Sequence, residues 1–294
     1  MRIKVETKCY ENMLNSFSTY RTENNEKYQR QRRLPINFEF EKLYLRYMEE
    51  CRCQMEKIEQ LRSYIFEAIE IVLNLFVEIH QFVIDDLNKW KYEAQKLANE
   101  ISYPVKVHNP DKLDAIQIWL NKLYECLMDI RSIVENIHNS NVQMKIVDRR
   151  DDKIKEKISN SLQNLIASSF IIEKHPSQII KRDTRNNACV RMLITEFTKI
   201  TEKLGVSVSI LSESKAVIQR QQKAPLSESS GCIADNTEEI QFSPDSDTLR
   251  WNFKRMMVTK VTRKSKSGST KDVSDKKFVF VFRMKFQIND IPID

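Results

Sequence analysis

The stretch from Asp111 to Asn139 constrains this chain most. Its apolar positions, Leu113, Ile116, Leu120, Leu123, Leu127, Ile130, Val134 and Ile137, alternate in steps of three and four for more than three heptads. That is the spacing of a coiled-coil seam, and a helix written this way needs partner helices along its length. Pro110 and Asp111 give it a rigid, acidic entry, and His138, Asn139 and Ser140 are expected to close it.

The partners are legible on either side. Val5, Cys9, Met13, Phe17 and Tyr20 mark one face of an amphipathic helix over about 4–31. The basic run Gln29–Arg33 and Pro35 break it. A second helix runs from Phe38 or Phe40 to Glu100, roughly 60 residues or about 90 Å. It carries two stripes: Ile58, Leu61, Ile65, Ala68, Val72, Leu75, Ile79 and Phe82, and Phe66, Ile69, Leu73, Phe76, His80, Val83, Leu87, Trp90, Ala94 and Leu97. Two stripes laced with charge indicate packing against two or more neighbours rather than a membrane span. After the seam helix, Asp151–Ser169 puts Ile154, Ile158, Leu162 and Leu165 on one face. Four such helices imply an elongated antiparallel four-helix coiled-coil bundle.

Beyond Ser169 the period changes from helical to alternating. Phe170–Ile172 is an apolar burst, Ile179–Ile180 a second, and Val206, Val208 and Ile210 alternate after Gly205. Gln222–Asn236 is polar and reads as a long exposed loop. Leu249–Val261 and Phe278–Ile288 read as two long strands, with Phe278, Phe280, Phe282, Met284 and Phe286 on one face of the second. The chain is thus multidomain, α then β, with domains expected at 1–169 and 170–294. All three glycines lie in its last third, at Gly205, Gly231 and Gly268.

Charge is as uneven as period. Between Thr248 and Lys285 twelve Lys or Arg face only Asp272 and Asp275, a net +10, while the whole chain is +7, so the remainder is at −3. An anionic partner is therefore sought at the β end. Between the two long strands lies a basic loop holding Arg263, Lys264, Lys266 and Lys271. No apolar run is long enough for a membrane span, and the first residues lack the centre of a signal peptide. Six scattered cysteines suit reduced thiols. There is no glycine-rich phosphate loop, no nucleophile elbow and no metal-ligand spacing, and the four histidines are dispersed. His80 reads as a tolerated core histidine. No enzymatic activity, cofactor or metal is expected.

The junction Leu165-Ile166-Ala167-Ser168-Ser169-Phe170-Ile171-Ile172-Glu173-Lys174-His175-Pro176 resembles the passage from coiled coil to DNA-binding domain in the signal transducers and activators of transcription, the STAT family. Three further stretches are similar to that family: Asp86-Leu87-Asn88-Lys89-Trp90-Lys91, Leu113-Asp114-Ala115-Ile116-Gln117-Ile118-Trp119-Leu120, and Leu249-Arg250-Trp251-Asn252-Phe253-Lys254. The resemblance implies a bundle followed by an immunoglobulin-like (p53-like) β-barrel, incomplete here, whose loops clasp DNA. It implies a sequence-specific regulator of RNA polymerase II transcription in a cytokine, JAK–STAT-type pathway, moving between cytoplasm and nucleus. Arg263, Lys264, Lys266 and Lys271 fall in one DNA-approaching loop, and Lys215, Arg220 and Lys223 follow the Val206–Leu211 strand where another begins. No counterpart of the family's linker, SH2 domain or phosphotyrosine tail is expected, so the chain reads as a truncated or divergent member. Double-stranded DNA is then a partner held weakly, with dimerisation a further expectation. The alternative reading is an interaction module or competitor, binding protein partners through the coiled coil without autonomous DNA binding.

Overall fold

The computed structural model describes residues 2–31, 38–99, 110–143, 146, 148–177, 179–196, 203–222, 229–241, 248–261, 277–284, 286–288 and 291–293. The helices are α1 (Arg2–Gln31), α2 (Phe38–Asn99), α3 (Pro110–Gln143), α4 (Arg150–Ser169) and α5 (Glu213–Gln222). The strands are β1 (Phe170–Lys174), β2 (Arg185–Met192), β3 (Lys203–Ser212), β4 (Gly231–Ala234), β5 (Thr237–Gln241), β6 (Leu249–Val261), β7 (Phe278–Met284), β8 (Phe286–Ile288) and β9 (Ile291–Ile293). Two compact units divide the chain, Met1–Ile79 with Glu125–Leu162, and His80–Tyr124 with Gln163–Asp294.

The first unit is a four-helix assembly. Lys4 Nζ reaches Asp129 at 2.7 Å and the Tyr10 hydroxyl donates to Asn141 Oδ1 at 2.7 Å, so α1 and α3 run the same way. Lys157 meets Glu70 and Arg150 meets Glu59, so α2 and α4 also share a direction, the up-down-up-down order that short connections favour. Several polar groups inside or at the edge of this core find partners. Asn141 Nδ2 donates to the buried Asp151 at 3.2 Å. Arg150 donates to Asp148, Ser63 and Glu59 while its guanidinium lies 5.2 Å from the Phe66 ring centroid. Burial pushes the Tyr10 phenol up to about 12.

All eight seam residues of α3 are buried, from Leu113 to Ile137. Three readings of the helices change. Helix α3 does not close at His138–Ser140 but continues to Gln143, because Asn141 is held inside by Tyr10 and Asp151. The inner face of α1 is Thr7, Tyr10, Leu14 and Phe17, whereas Val5 and Cys9 are exposed. A tyrosine whose hydroxyl finds an acceptor buries as well as an aliphatic residue does. On α2 the stripe through Phe66, Leu73 and Trp90 is inside, but the other stripe is exposed from Leu75 through Ile79 to Phe82.

In the second unit the strands form three antiparallel sheets, β1-β2-β6-β4, β5-β3-β7 and β8-β9, which do not close into a barrel among the described residues. Phe253 of β6 meets Phe282 of β7 edge-on, with centroids 5.4 Å apart, and Phe170 meets Trp251 at 6.3 Å. The stretch read as a long loop contains a strand: Gly231–Ala234 pairs with β6, and Ser230 is buried with its amide on the Ile210 carbonyl. A side chain at Gly231 would collide with the Lys260 carbonyl and come within 2.9 Å of Ile210 Cγ2, so β4 can lie there only with glycine. The second burst is not a strand, since Ile179 is exposed in an irregular segment. The stretch Phe278–Ile288 divides into β7 and β8.

Candidate nucleic-acid interface

The β end is anchored through a buried charge cluster. Arg191 of β2 has no exposed surface, and its guanidinium donates to Asp114 Oδ1 and Gln117 Oε1 of α3, both at 2.6 Å, and to Glu173 Oε1 of β1 at 3.3 Å. Glu173 accepts further bonds from Arg250 of β6 at 2.7 and 3.0 Å. Three acceptor oxygens, on two helical residues and one strand residue, thus orient a single fork, the geometry for which guanidinium is suited. Burial alone would raise the Glu173 carboxyl, but the Arg250 bonds and the charges of Arg250 and Arg191 outweigh it, and the group is held below the usual carboxylate range. Burial, reinforced by the Glu173 charge, pushes the Cys189 thiol up to about 12, so it is an inert thiol. Asn121 completes the seat, accepting from the Thr195 amide at 2.9 Å.

On this base, β6 presents the charge. Its inward positions Leu249, Trp251 and Phe253 change phase to Met256 and Val258. The cause is a bulge opposite Asn187: Ala188 pairs with Phe253 while Asn186 pairs with Met256, which leaves Lys254 and Arg255 together on the strand. A second irregularity lies beside Lys260. Lys254, Arg255 and Lys260 are exposed, as is Lys277 before β7, and none of the four makes an ion pair among the described residues. Among the described residues they are cations without acidic partners, available to an anionic ligand. These strand residues lie outside the loops expected to meet DNA; their signal in the sequence is the density of Lys and Arg in 248–261.

The expected contact residues divide as follows. Lys215 lies half-buried on α5, which begins immediately after β3 where a loop was expected. Arg220 is on the same helix. Lys223, Arg263, Lys264, Lys266 and Lys271 lie outside the described residues. His80 is half-buried with Nε2 3.1 Å from Ser168 Oγ, and burial lowers its pKa. Among the described residues no group of His, Cys, Asp and Glu is placed to hold a metal. No helix there is long and apolar enough to cross a membrane.

Comparison with known proteins accounts for both parts of this arrangement. Residues 2–166 match the family model of the STAT transcription factor coiled-coil domain, and residues 174–294 match that of the STAT protein DNA-binding domain. The chain is similar to a signal transducer and transcription activator of Drosophila melanogaster, 27% identical over 247 residues, which are 79% of this chain and 31% of the relative. It thus spans about a third of the length of that curated relative.

Proposed function

Since the chain belongs to the STAT family of transcription factors, we propose that its β end contacts duplex DNA and that the protein regulates RNA polymerase II transcription in a cytokine, JAK–STAT-type pathway. The observation that carries this is the match of 174–294 to the family's DNA-binding domain, over the same residues that hold the +10 segment. Clustered Lys and Arg neutralise phosphates and release counterions, which supplies affinity without sequence information. In this reading Arg263, Lys264, Lys266 and Lys271 approach the backbone from one loop, and Lys215, Arg220 and Lys223 from the α5 region. The functional domains are 1–169 and 170–294, and the protein works in cytoplasm and nucleus.

The 294-residue chain is expected to hold a short duplex at about 10⁻⁴ to 10⁻⁶ M at physiological salt. Fluorescence anisotropy across a salt series tests this. Replacing Arg263, Lys264, Lys266 and Lys271 by Ala lowers the log–log slope by up to about 3.6, at about 0.9 per contact. An unchanged slope removes the loop from the interface, and no binding at low salt overturns autonomous DNA binding. A second role, binding protein partners through the helices, is favoured by the exposed apolar stripe of α2.

A further inference from the structure

Helix α2 carries a second seam on the side away from its buried face. Tyr64, Ala68, Ile71, Leu75 and Ile79 recur every three or four residues, the spacing by which two helices pack. Yet Ile71 is 60% exposed, Leu75 50% and Ile79 45%. On α2 itself the border of this stripe has one sign, since no Lys or Arg occurs between Ser63 and Asn88, and Glu67 and Glu78 stand exposed beside it. Four other acidic residues of α2 in the same unit have cations: Glu49 and Glu56 pair with Arg52, Glu59 with Arg150, and Glu70 with Lys157. Glu67 and Glu78 make no ion pair among the described residues.

We propose that this face of α2 is a docking seam for a basic amphipathic helix of a partner protein. Apolar residues of that helix cover Ile71, Leu75 and Ile79, and its flanking Lys or Arg meet Glu67 and Glu78. Charge decides among the occupants. A second copy of the chain would bring its own Glu67 and Glu78 to the shared seam, since a two-fold contact places the same patch on both sides. An anionic lipid surface meets the same repulsion. The inference rests on the reading of the helices as a partner-binding element and adds the partner's chemistry.

The test uses the full chain and two labelled synthetic helices of about three heptads, apolar at a and d, one with Lys and Arg at e and g and the other with Glu. The basic helix binds at least about tenfold tighter than its acidic twin, a difference of about 1.4 kcal/mol. The exposed pair Ile71→Ser and Leu75→Ser weakens it by about tenfold, with circular dichroism and duplex binding unchanged. Glu67→Lys with Glu78→Lys reverses the preference between the two helices. Equal binding of both helices, or a charge-reversed chain that still prefers the basic one, overturns the basic partner while leaving a partner-binding seam. No binding of either helix overturns the partner-binding reading too. A dimer seen by light scattering and abolished by Leu75→Ser gives the seam to a second copy and likewise overturns the proposal.

Discussion

Arg191 and Glu173 lie on neighbouring strands with both side chains buried, yet their ion pair at 3.3 Å is longer than the charged contact each makes elsewhere: Arg191 sits 2.6 Å from Asp114 on α3, and Glu173 sits 2.7 Å from Arg250. The pair is a bridge between two tighter ones, linking α3 to β6 through β2 and β1. Removing either member leaves the other charge inside without its full complement.

Arg191→Ala is therefore expected to destabilise the second unit by about 3–5 kcal/mol, the cost of stranding a buried partner. Asp114→Asn, at a residue open to water, should cost under about 1 kcal/mol. Urea denaturation followed by tryptophan fluorescence, which includes Trp251, compares the two. Equal effects would mean that the cluster is not the anchor.

Leu120 is fully buried at the centre of the α3 seam. Leu120→Ala should cost about 2–5 kcal/mol, read as a lowered thermal midpoint. An unchanged midpoint would contradict the seam.

Glu173 also predicts a pH dependence. Its folded carboxyl titrates below its usual value of 4.5, so the unfolded chain binds the proton more readily. This stabilisation is complete above about pH 4.5 and is lost as pH falls through the lower folded value. Glu173→Gln should lower the thermal midpoint at neutral pH and flatten its fall in acid. The same acid slope in both proteins would place the titration elsewhere.

Gly231→Ala puts a methyl against the Lys260 carbonyl and Ile210. A loss of about 1–3 kcal/mol is expected, as for other overpacked sites. Amide exchange along β4 should rise first, because β4 is short and lies at the edge of its sheet.

Lys254, Arg255 and Lys260 on β6 give a prediction separate from the basic loop. Their joint replacement by Ala should reduce the salt slope of duplex binding by up to about 2.7 if each meets a phosphate. A slope that falls only in the loop variant would assign binding to 263–271 alone.

The helices were legible because their apolar period is long. Eight seam residues of α3 agree with one another, and Ile154, Ile158, Leu162 and Leu165 of α4 are all buried as their spacing requires. Period says which face is apolar but not whether a neighbour covers it, so Leu75, Ile79 and Phe82 were read as packed. The Arg191 cluster had no local signal, since Asp114 and Gln117 lie more than seventy positions away and Arg191 alone looks like any surface cation. Helix α5 was missed because Glu213–Gln222 is mostly polar with no strong apolar stripe. Strand β4 was missed because four residues in a serine-rich, acidic stretch are too few to show alternation. The contact residues in 263–271 followed from charge and from the family resemblance, which specify a loop's chemistry without its path.

The interruptions of β6 have a consequence for how the sheet holds its alignment. A strand with uniform alternation can slide by two residues and still present the same faces to its neighbours. In β6 the inward set is odd-numbered up to Phe253 and even-numbered at Met256 and Val258, so the two halves mesh with β2 in one position only. The extra residue works as a key in a slot. Insertion or deletion of a single residue anywhere between Leu249 and Val258 would throw one half out of phase with its partner while leaving the other in place.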